Sequence, residues 1–301
     1  VRDILYCSIA GSNAETKANA FTLSELTLHS ETTVSVSSVV TELDVSPTDI
    51  VLALEQSTDT MAAYTFTGTL PSFTSTSATL SVSGNNPRGS CFNSDGTKFY
   101  VTGTDAYIRG YDIPLPTPPT PNVNAYNISL ASISSSKSGI GYGGQGLFLK
   151  PDGTILYVVE SANVRTLTLT TPYDVSSYSS STTSISSVVD SDGDTISGLT
   201  GIRFNNDGTK FFVCYRKSQG TYVTTANRAK IAEFSLSTPY DVSSYTFVSS
   251  MDFGLNIGIQ VAPDTTTLPA GFAWNANGTA LFVAGVHQDT TQSAVKVLMY
   301  S

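Results

Sequence analysis

Charge is what this sequence has least of. Only 13% of its 301 residues are Asp, Glu, Lys or Arg, about half the share of an ordinary globular chain. The balance is acidic, 15 Lys and Arg against 24 Asp and Glu for a formal net charge of −9. A general nucleic-acid binder needs a basic footprint, so that class is excluded. Cysteine is scarce as well. Cys7, Cys91 and Cys214 are odd in number and show no CxxC spacing, which argues against a disulfide framework and a cysteine zinc site and reads as buried free thiols. Histidine is limited to His29 and His287, and no GxSxG elbow is present to announce a nucleophilic serine. No apolar run approaches the ~18 residues of a membrane-spanning helix; candidates such as Ile50 to Leu54 are strand-sized. No window sustains a 3.6-residue apolar period, so helices of any length are not expected. The place of charge is taken by hydroxyl groups, with 42 Ser and 41 Thr.

An internal repeat organises the chain. Four segments share the frame Gly-x-x-apolar-x-x-Asp/Asn-Gly: Gly89 to Gly96, Gly146 to Gly153, Gly201 to Gly208 and Gly271 to Gly278. Each is followed by Thr and an apolar run, namely TKFYVTG, TILYVVE, TKFFVCY and TALFVAG. Asp-Gly or Asn-Gly between two β-prone runs is a hairpin signal, because these residues tolerate the positive φ of tight turns. The pairs Asp95-Gly96, Asp152-Gly153, Asp207-Gly208 and Asn277-Gly278 are therefore read as turn formers first. A third strand follows at Ala106 to Ile113, Asn163 to Thr170, Lys230 to Ser237 and Ala294 to Ser301. Two of these run into the same octapeptide, TPYDVSSY, at Thr171 and Thr238. There Pro ends the strand, and Asp and Ser favour a turn before a Ser-rich fourth strand.

The closing glycines lie 57, 55 and 70 residues apart, the size of a four-stranded antiparallel propeller blade. The sequence thus predicts an all-β propeller in one domain, 1–301. Its blades are expected at about 1–38, 40–84, 88–135, 144–190, 199–252 and 270–301. That makes six, with the first and last incomplete, or seven if 252–270 holds further strands. A two-domain β-sandwich is the competing architecture, but it gives no reason for a hairpin recurring at near-regular intervals.

At Asp95-Gly96-Thr97-Lys98-Phe99-Tyr100-Val101 and its counterparts the chain resembles the YVTN-like class of bacterial and archaeal propeller repeats. The STPYDVSS element is similar to repeats of bacterial surface and phage virion proteins. The resemblance covers roughly 88–301 and implies a fold and a milieu, with no catalytic residue to transfer.

Three clusters carry candidate chemistry. Asp190, Asp192 and Asp194 sit in a DxDGD run, which reads either as a surface turn between blades or as a calcium loop of closely spaced carboxylates. Gly193 falls two places before the glycine of an EF-hand loop and Gly201 stands where that loop has Glu, so an EF-hand is excluded. Gly139 to Gly146 lacks the Lys-Ser/Thr of a phosphate-binding loop. Glu160 and Asn163 are candidate channel or rim residues of a hydrolytic propeller. Between strands two and three of one blade lie 12 extra residues, in a loop from Tyr215 to Lys230. Arg216, Lys217, Arg228 and Lys230, interleaved with Tyr215 and Tyr222, either contact an acidic glycan or partner or form a solvated hairpin.

These features predict a non-enzymatic extracellular or virion propeller, a structural and interaction module such as a phage tail or capsid-surface component or a surface filament subunit. It would require no cofactor unless calcium binds, and its partners would be other protein subunits or surface glycans. The alternative is a secreted carbohydrate-binding or lactonase-like propeller. The last strand, Ala294 to Ser301, should not stay a bare edge. Either a neighbouring subunit or residues Val1 to Tyr6 are expected to cover it.

Overall fold

In the computed structural model the described residues are 28–35, 40–45, 50–55, 60–67, 72–82, 87–113, 132–140, 144–216, 229–252, 272–274, 281–289 and 292–300. Twenty strands account for most of them, with one 3-10 turn at Val242–Ser244 and no α-helix among the described residues. Strand β1 (Leu28–Ser35) comes first. Blade I is β2 (Val40–Val45), β3 (Ile50–Glu55), β4 (Thr60–Thr67) and β5 (Ser72–Ser81). Blade II is β6 (Pro87–Phe92), β7 (Lys98–Gly103), β8 (Tyr107–Asp112) and β9 (Ser132–Ser138). Blade III is β10 (Leu147–Leu149), β11 (Ile155–Glu160), β12 (Asn163–Thr171) and β13 (Asp174–Ser184). Blade IV is β14 (Ser197–Phe204), β15 (Lys210–Arg216), β16 (Ala229–Leu236) and β17 (Tyr245–Asp252). The C-terminal strands are β18 (Phe272–Trp274), β19 (Leu281–Asp289) and β20 (Gln292–Tyr300).

Each sheet is a four-stranded antiparallel meander, and the described residues form five of them. Their first strands touch in cyclic order, β2 to β6, β6 to β10, β10 to β14, β14 to β18 and β18 back to β2. A cyclic arrangement of meanders about their first strands is a β-propeller. The expectation of six blades with two incomplete ones is corrected. Strand β1 and the C-terminal strands belong to one blade, V, in the order β1-β20-β19-β18. The edge of β20 is covered by Leu28–Ser35 of the same chain, with Val34 opposite Val295 and Thr32 opposite Val297. The physical reason is the one anticipated for the edge: its unpaired N–H and C=O groups find a strand. Residues Val1 to Tyr6, and the strands expected before residue 28, lie outside the described residues.

Packing occurs between blades. Tyr157, Val159 and Val164 of blade III meet Phe204, Phe211 and Val213 of blade IV in one buried cluster. Cys91, Tyr100 and Ile108 of blade II meet Leu156, Val158 and Leu167 of blade III in another. Polar latches cross the same seams. The Tyr100 hydroxyl donates to the carbonyl of Tyr173 at 2.8 Å, and the Tyr157 hydroxyl donates to the carbonyl of Tyr240. Burial raises the pKa of both latch phenols above the usual tyrosine value, so they stay neutral donors.

Candidate functional site at the propeller axis

The frame-opening glycines Gly89, Gly146 and Gly201 lie where inner strands converge. A Cβ on Gly146 would stand 2.5 Å from the Cα of Gly201, and one on Gly89 would collide with the backbone of Gln145. Only glycine permits that approach. Two residues beyond Gly201 the frame places Arg203, where its counterparts have Cys91, Phe148 and Ala273. The Arg203 guanidinium donates through Nη1 to the carbonyls of Leu147 at 2.7 Å and Ile202 at 2.8 Å. Through Nη2 it reaches Asp44 Oδ1 at 3.3 Å, and it lies 6.0 Å from the ring centroid of Phe272. Asp44 Oδ2 accepts the N–H of Phe92 at 2.6 Å.

Those partners belong to β2, β6, β10, β14 and β18. One ion pair therefore joins all five inner strands, which places it at the axis. The two side chains are only 6% and 13% exposed. An ion pair this dry gains strength from the low local dielectric and needs its hydrogen bonds to offset desolvation. Arg203 and Asp44 escaped the sequence reading. The available signal was a single arginine at a frame position held elsewhere by Cys, Phe and Ala.

A second charged centre lies in the crossover from blade III to blade IV. The Asp190 carboxylate is buried and accepts through Oδ1 the N–H groups of Asp192 and Asp194, both at 2.9 Å. Its Oδ2 accepts the Tyr215 hydroxyl at 2.7 Å and Lys230 Nζ at 2.7 Å. Lys230 also reaches Asp192 at 2.6 Å and Asp194 at 3.4 Å. Burial alone would raise the Asp190 pKa, but Lys230, Tyr215 and the two N–H groups together hold it at about 2. Burial pulls the Lys230 pKa down, yet its carboxylate partners carry it above the usual lysine value. The Tyr215 phenol is pushed up by burial and by Asp190.

The sequence separated these residues into two candidate sites, and the structure brings them together. Tyr215 and Lys230, expected on an exposed contact loop, are corrected: they are 0% and 1% exposed. They sit on the inward period-two face with Val213, Ala232 and Phe234. The three aspartates present oxygens within 4.8 Å of one another, and the cation among them is the Lys230 ammonium. A calcium ion would have to displace it. Arg216 ends β15, and its side chain, like Lys217, Tyr222 and Arg228, lies outside the described residues.

The frame turns are built alike. Asp95, Asp152 and Asp207 each accept through Oδ1 the N–H and hydroxyl of the Thr two residues on, with hydroxyl distances of 2.6 Å. Gly96, Gly153 and Gly208 follow at φ of +74°, +73° and +70°, the left-handed region that disfavours any Cβ. At Gly153 and Gly208 the space is also filled, by the rings of Tyr173 and Tyr240. Asn277 and Gly278 lie outside the described residues. Glu160 and Asn163 face each other at the β11–β12 hairpin, and Glu160 pairs with Arg165 at 3.3 Å. They are on the second and third strands of blade III, at the hairpin end, and not on its innermost strand.

No protein-family profile matches the chain, and no curated protein matches it. Similar solved structures include a protein from Lactobacillus plantarum, at 14% identity and a TM-score of 0.42, over 87% of this chain and 71% of that one. The β-propeller domain of Cps50 (Swd1) from Myceliophteria thermophila is 8% identical with a TM-score of 0.43, over 89% of this chain and 99% of that one. A chain of the mitotic checkpoint complex is 12% identical with a TM-score of 0.41, over 86% of this chain and 62% of that one. The propeller assignment rests on the cyclic strand order. No helix among the described residues is long and apolar enough to cross a membrane.

Proposed function

We propose that this chain is a non-catalytic propeller that works as a structural and interaction module in an extracellular or virion assembly, such as a phage tail or capsid surface or a bacterial surface filament. The observation that carries this reading is the axial ion pair. The centre of a propeller is where convergent polar groups from every blade can hold a ligand, and here Arg203 and Asp44 spend those groups on each other and on the backbone of their neighbours. The surface supports the same reading. The outer strand β13 carries Ser176, Ser177, Ser179, Ser180 and Ser181 exposed, a hydroxyl face that hydrogen-bonds without committing to charge. The Asp-Gly-Thr turns and the STPYDVSS element, similar to repeats of surface and virion proteins, support the milieu.

The test is an activity screen over sugar, ester and lactone substrates run beside electron microscopy of the protein from its source. Incorporation into an ordered particle without turnover is the expected result. Turnover of any of these substrates that is lost in an active-site variant would overturn the reading in favour of a hydrolytic propeller.

A further inference from the structure

Strand β13 is the longest of the described strands, 11 residues from Asp174 to Ser184, and it forms the outer edge of blade III. It pairs with β12 in unbroken register from Leu169–Tyr178 to Asn163–Ser184. Its other side is unmet. The strand lies beside β8 and β9 of blade II and pairs with neither. Among the described residues its backbone finds two partners besides β12, both at its ends. The Asp174 carboxylate accepts the N–H of Ser176 at 2.9 Å, and the Ser184 carbonyl accepts the Tyr245 hydroxyl at 3.3 Å. Between those ends, alternate residues turn N–H and C=O groups away from β12 with nothing to receive them.

Such an edge is ordinarily blunted by charge, proline, a bulge or short length. The other outer strands are blunted in this way. Strand β1 carries Glu31 and a register shift between Leu28 and Ser30, and β5 meets a shift between Ala62 and Tyr64 of β4. Strand β9 carries Lys137 and meets a shift between Gly110 and Tyr111, and β17 ends on Asp252 and meets one between Glu233 and Phe234. In β13 the only shift falls at the start, between Leu169 and Thr171. Residues 175–184, VSSYSSSTTS, hold no charge and no proline.

We propose that the edge of β13 pairs antiparallel with the β13 edge of a second copy of this chain, joining two blade III sheets across a two-fold axis. The neutrality of the segment points to that occupant. A two-fold pair sets one segment against itself, so any charge in it would meet a like charge nearby, and a segment without charge meets none. Main-chain hydrogen bonds supply the attraction. Hydroxyl groups can add to it, as Thr170 and Ser177 already do between β12 and β13 at 3.0 Å. The pairing leaves the axial ion pair untouched, since β13 lies at the outer rim. It deepens the interaction-module reading and rests on it, naming a contact through which copies are joined.

The experiment measures the unsubstituted chain by sedimentation velocity over a concentration series, with amide hydrogen exchange read on the same samples. Dimers should grow with concentration, and exchange should slow within residues 176–184. The double variant Ser179→Lys with Ser181→Lys sets like charges against one another across the two-fold axis and should weaken the dimer about tenfold or more. Thr246→Lys, on outer strand β17, adds charge elsewhere and should leave it unchanged. All three positions are exposed, so both variants should keep the melting temperature of the unsubstituted chain. A chain that stays monomeric overturns the proposal and leaves the edge to a strand of another protein. So does a dimer whose slowed exchange lies outside β13, or one that the double variant weakens no more than Thr246→Lys does. A monomer here leaves the non-catalytic reading standing, and turnover in the substrate screen would overturn that reading whatever the state of the edge.

Discussion

Replacing Arg203 with Met tests the axial ion pair directly. The substitution keeps an unbranched chain of similar reach but removes the donors to Leu147, Ile202 and Asp44. It also strands a carboxylate that is only 13% exposed. Breaking a buried pair by deleting one partner costs about 3–5 kcal/mol, chiefly because the remaining charge is left without compensation. An unfolding entropy of about 2.1 cal/mol/K per residue gives about 0.6 kcal/mol/K for a chain of 301 residues. Arg203→Met should therefore lower the melting temperature by about 5–8 °C in differential scanning calorimetry. The double variant Arg203→Met with Asp44→Leu should recover much of this, because replacing both charges with apolar groups is often nearly neutral. A coupling of about 2 kcal/mol or more is expected from the cycle. A single-variant shift below about 1 °C, or strictly additive effects, would refute the claim that one ion pair ties the five inner strands.

Further expectations concern the turns and the second charged centre. Gly153→Val should destabilise more than Asp152→Asn, because it forces a β-branched residue to φ +73° and drives its Cβ to 2.6 Å from the Tyr173 ring; equal melting temperatures would count against this. Lys230→Met should cost about 3–5 kcal/mol by leaving Asp190 buried without its cation, measurable by urea denaturation. Wild-type protein in EDTA should melt where it does in buffer, and a drop of several degrees would show that a divalent cation holds the carboxylates. Asp190 has a folded pKa of about 2 against about 3.9 when unfolded. Its depressed value stabilises the fold above pH ~4, a contribution lost as pH falls toward ~2. The stability gap between wild type and Asp190→Asn should close over that window, and a constant gap from pH 5 to pH 2 would show that ionisation is not involved.

The repeated hairpin was legible because its determinants are local. Asp-Gly-Thr fixes a turn whatever surrounds it, and Val and aromatic residues around it fit a half-buried pleat. The blade count was not, since pairing Leu28–Ser35 with Gln292–Tyr300 joins the two ends of the described chain and leaves no short-range trace. Lys230 was misjudged through its neighbours in sequence, Arg228 and Lys217. The alternation Lys230, Ala232, Phe234, Leu236 was the stronger signal, because period two puts a strand lysine on the face of its apolar companions. The acidic run Asp190 to Asp194 and the lysine facing it are 36 to 40 residues apart. Each was visible, but composition cannot pair them. Arg203 and Asp44, separated by 159 positions, are further still from anything a local pattern could connect.

The tyrosine latches bear on how such a chain can be copied. A hydroxyl stands at the fourth residue after the turn glycine in blades II and III, as Tyr100 and Tyr157, and each donates to the left-handed Tyr173 or Tyr240 of the blade that follows. In blade IV the same place is Phe212, and in the hairpin of blade V it is Phe282; neither is followed by a blade bearing TPYD. Donor and acceptor thus sit in different repeats, so each latch is completed only by the next blade. A copied blade that carries both groups, as blade III does with Tyr157 and Tyr173, would accept a latch from the blade before it and donate one to the blade after it. The shared octapeptide at Thr171 and Thr238 is what such copying would leave behind.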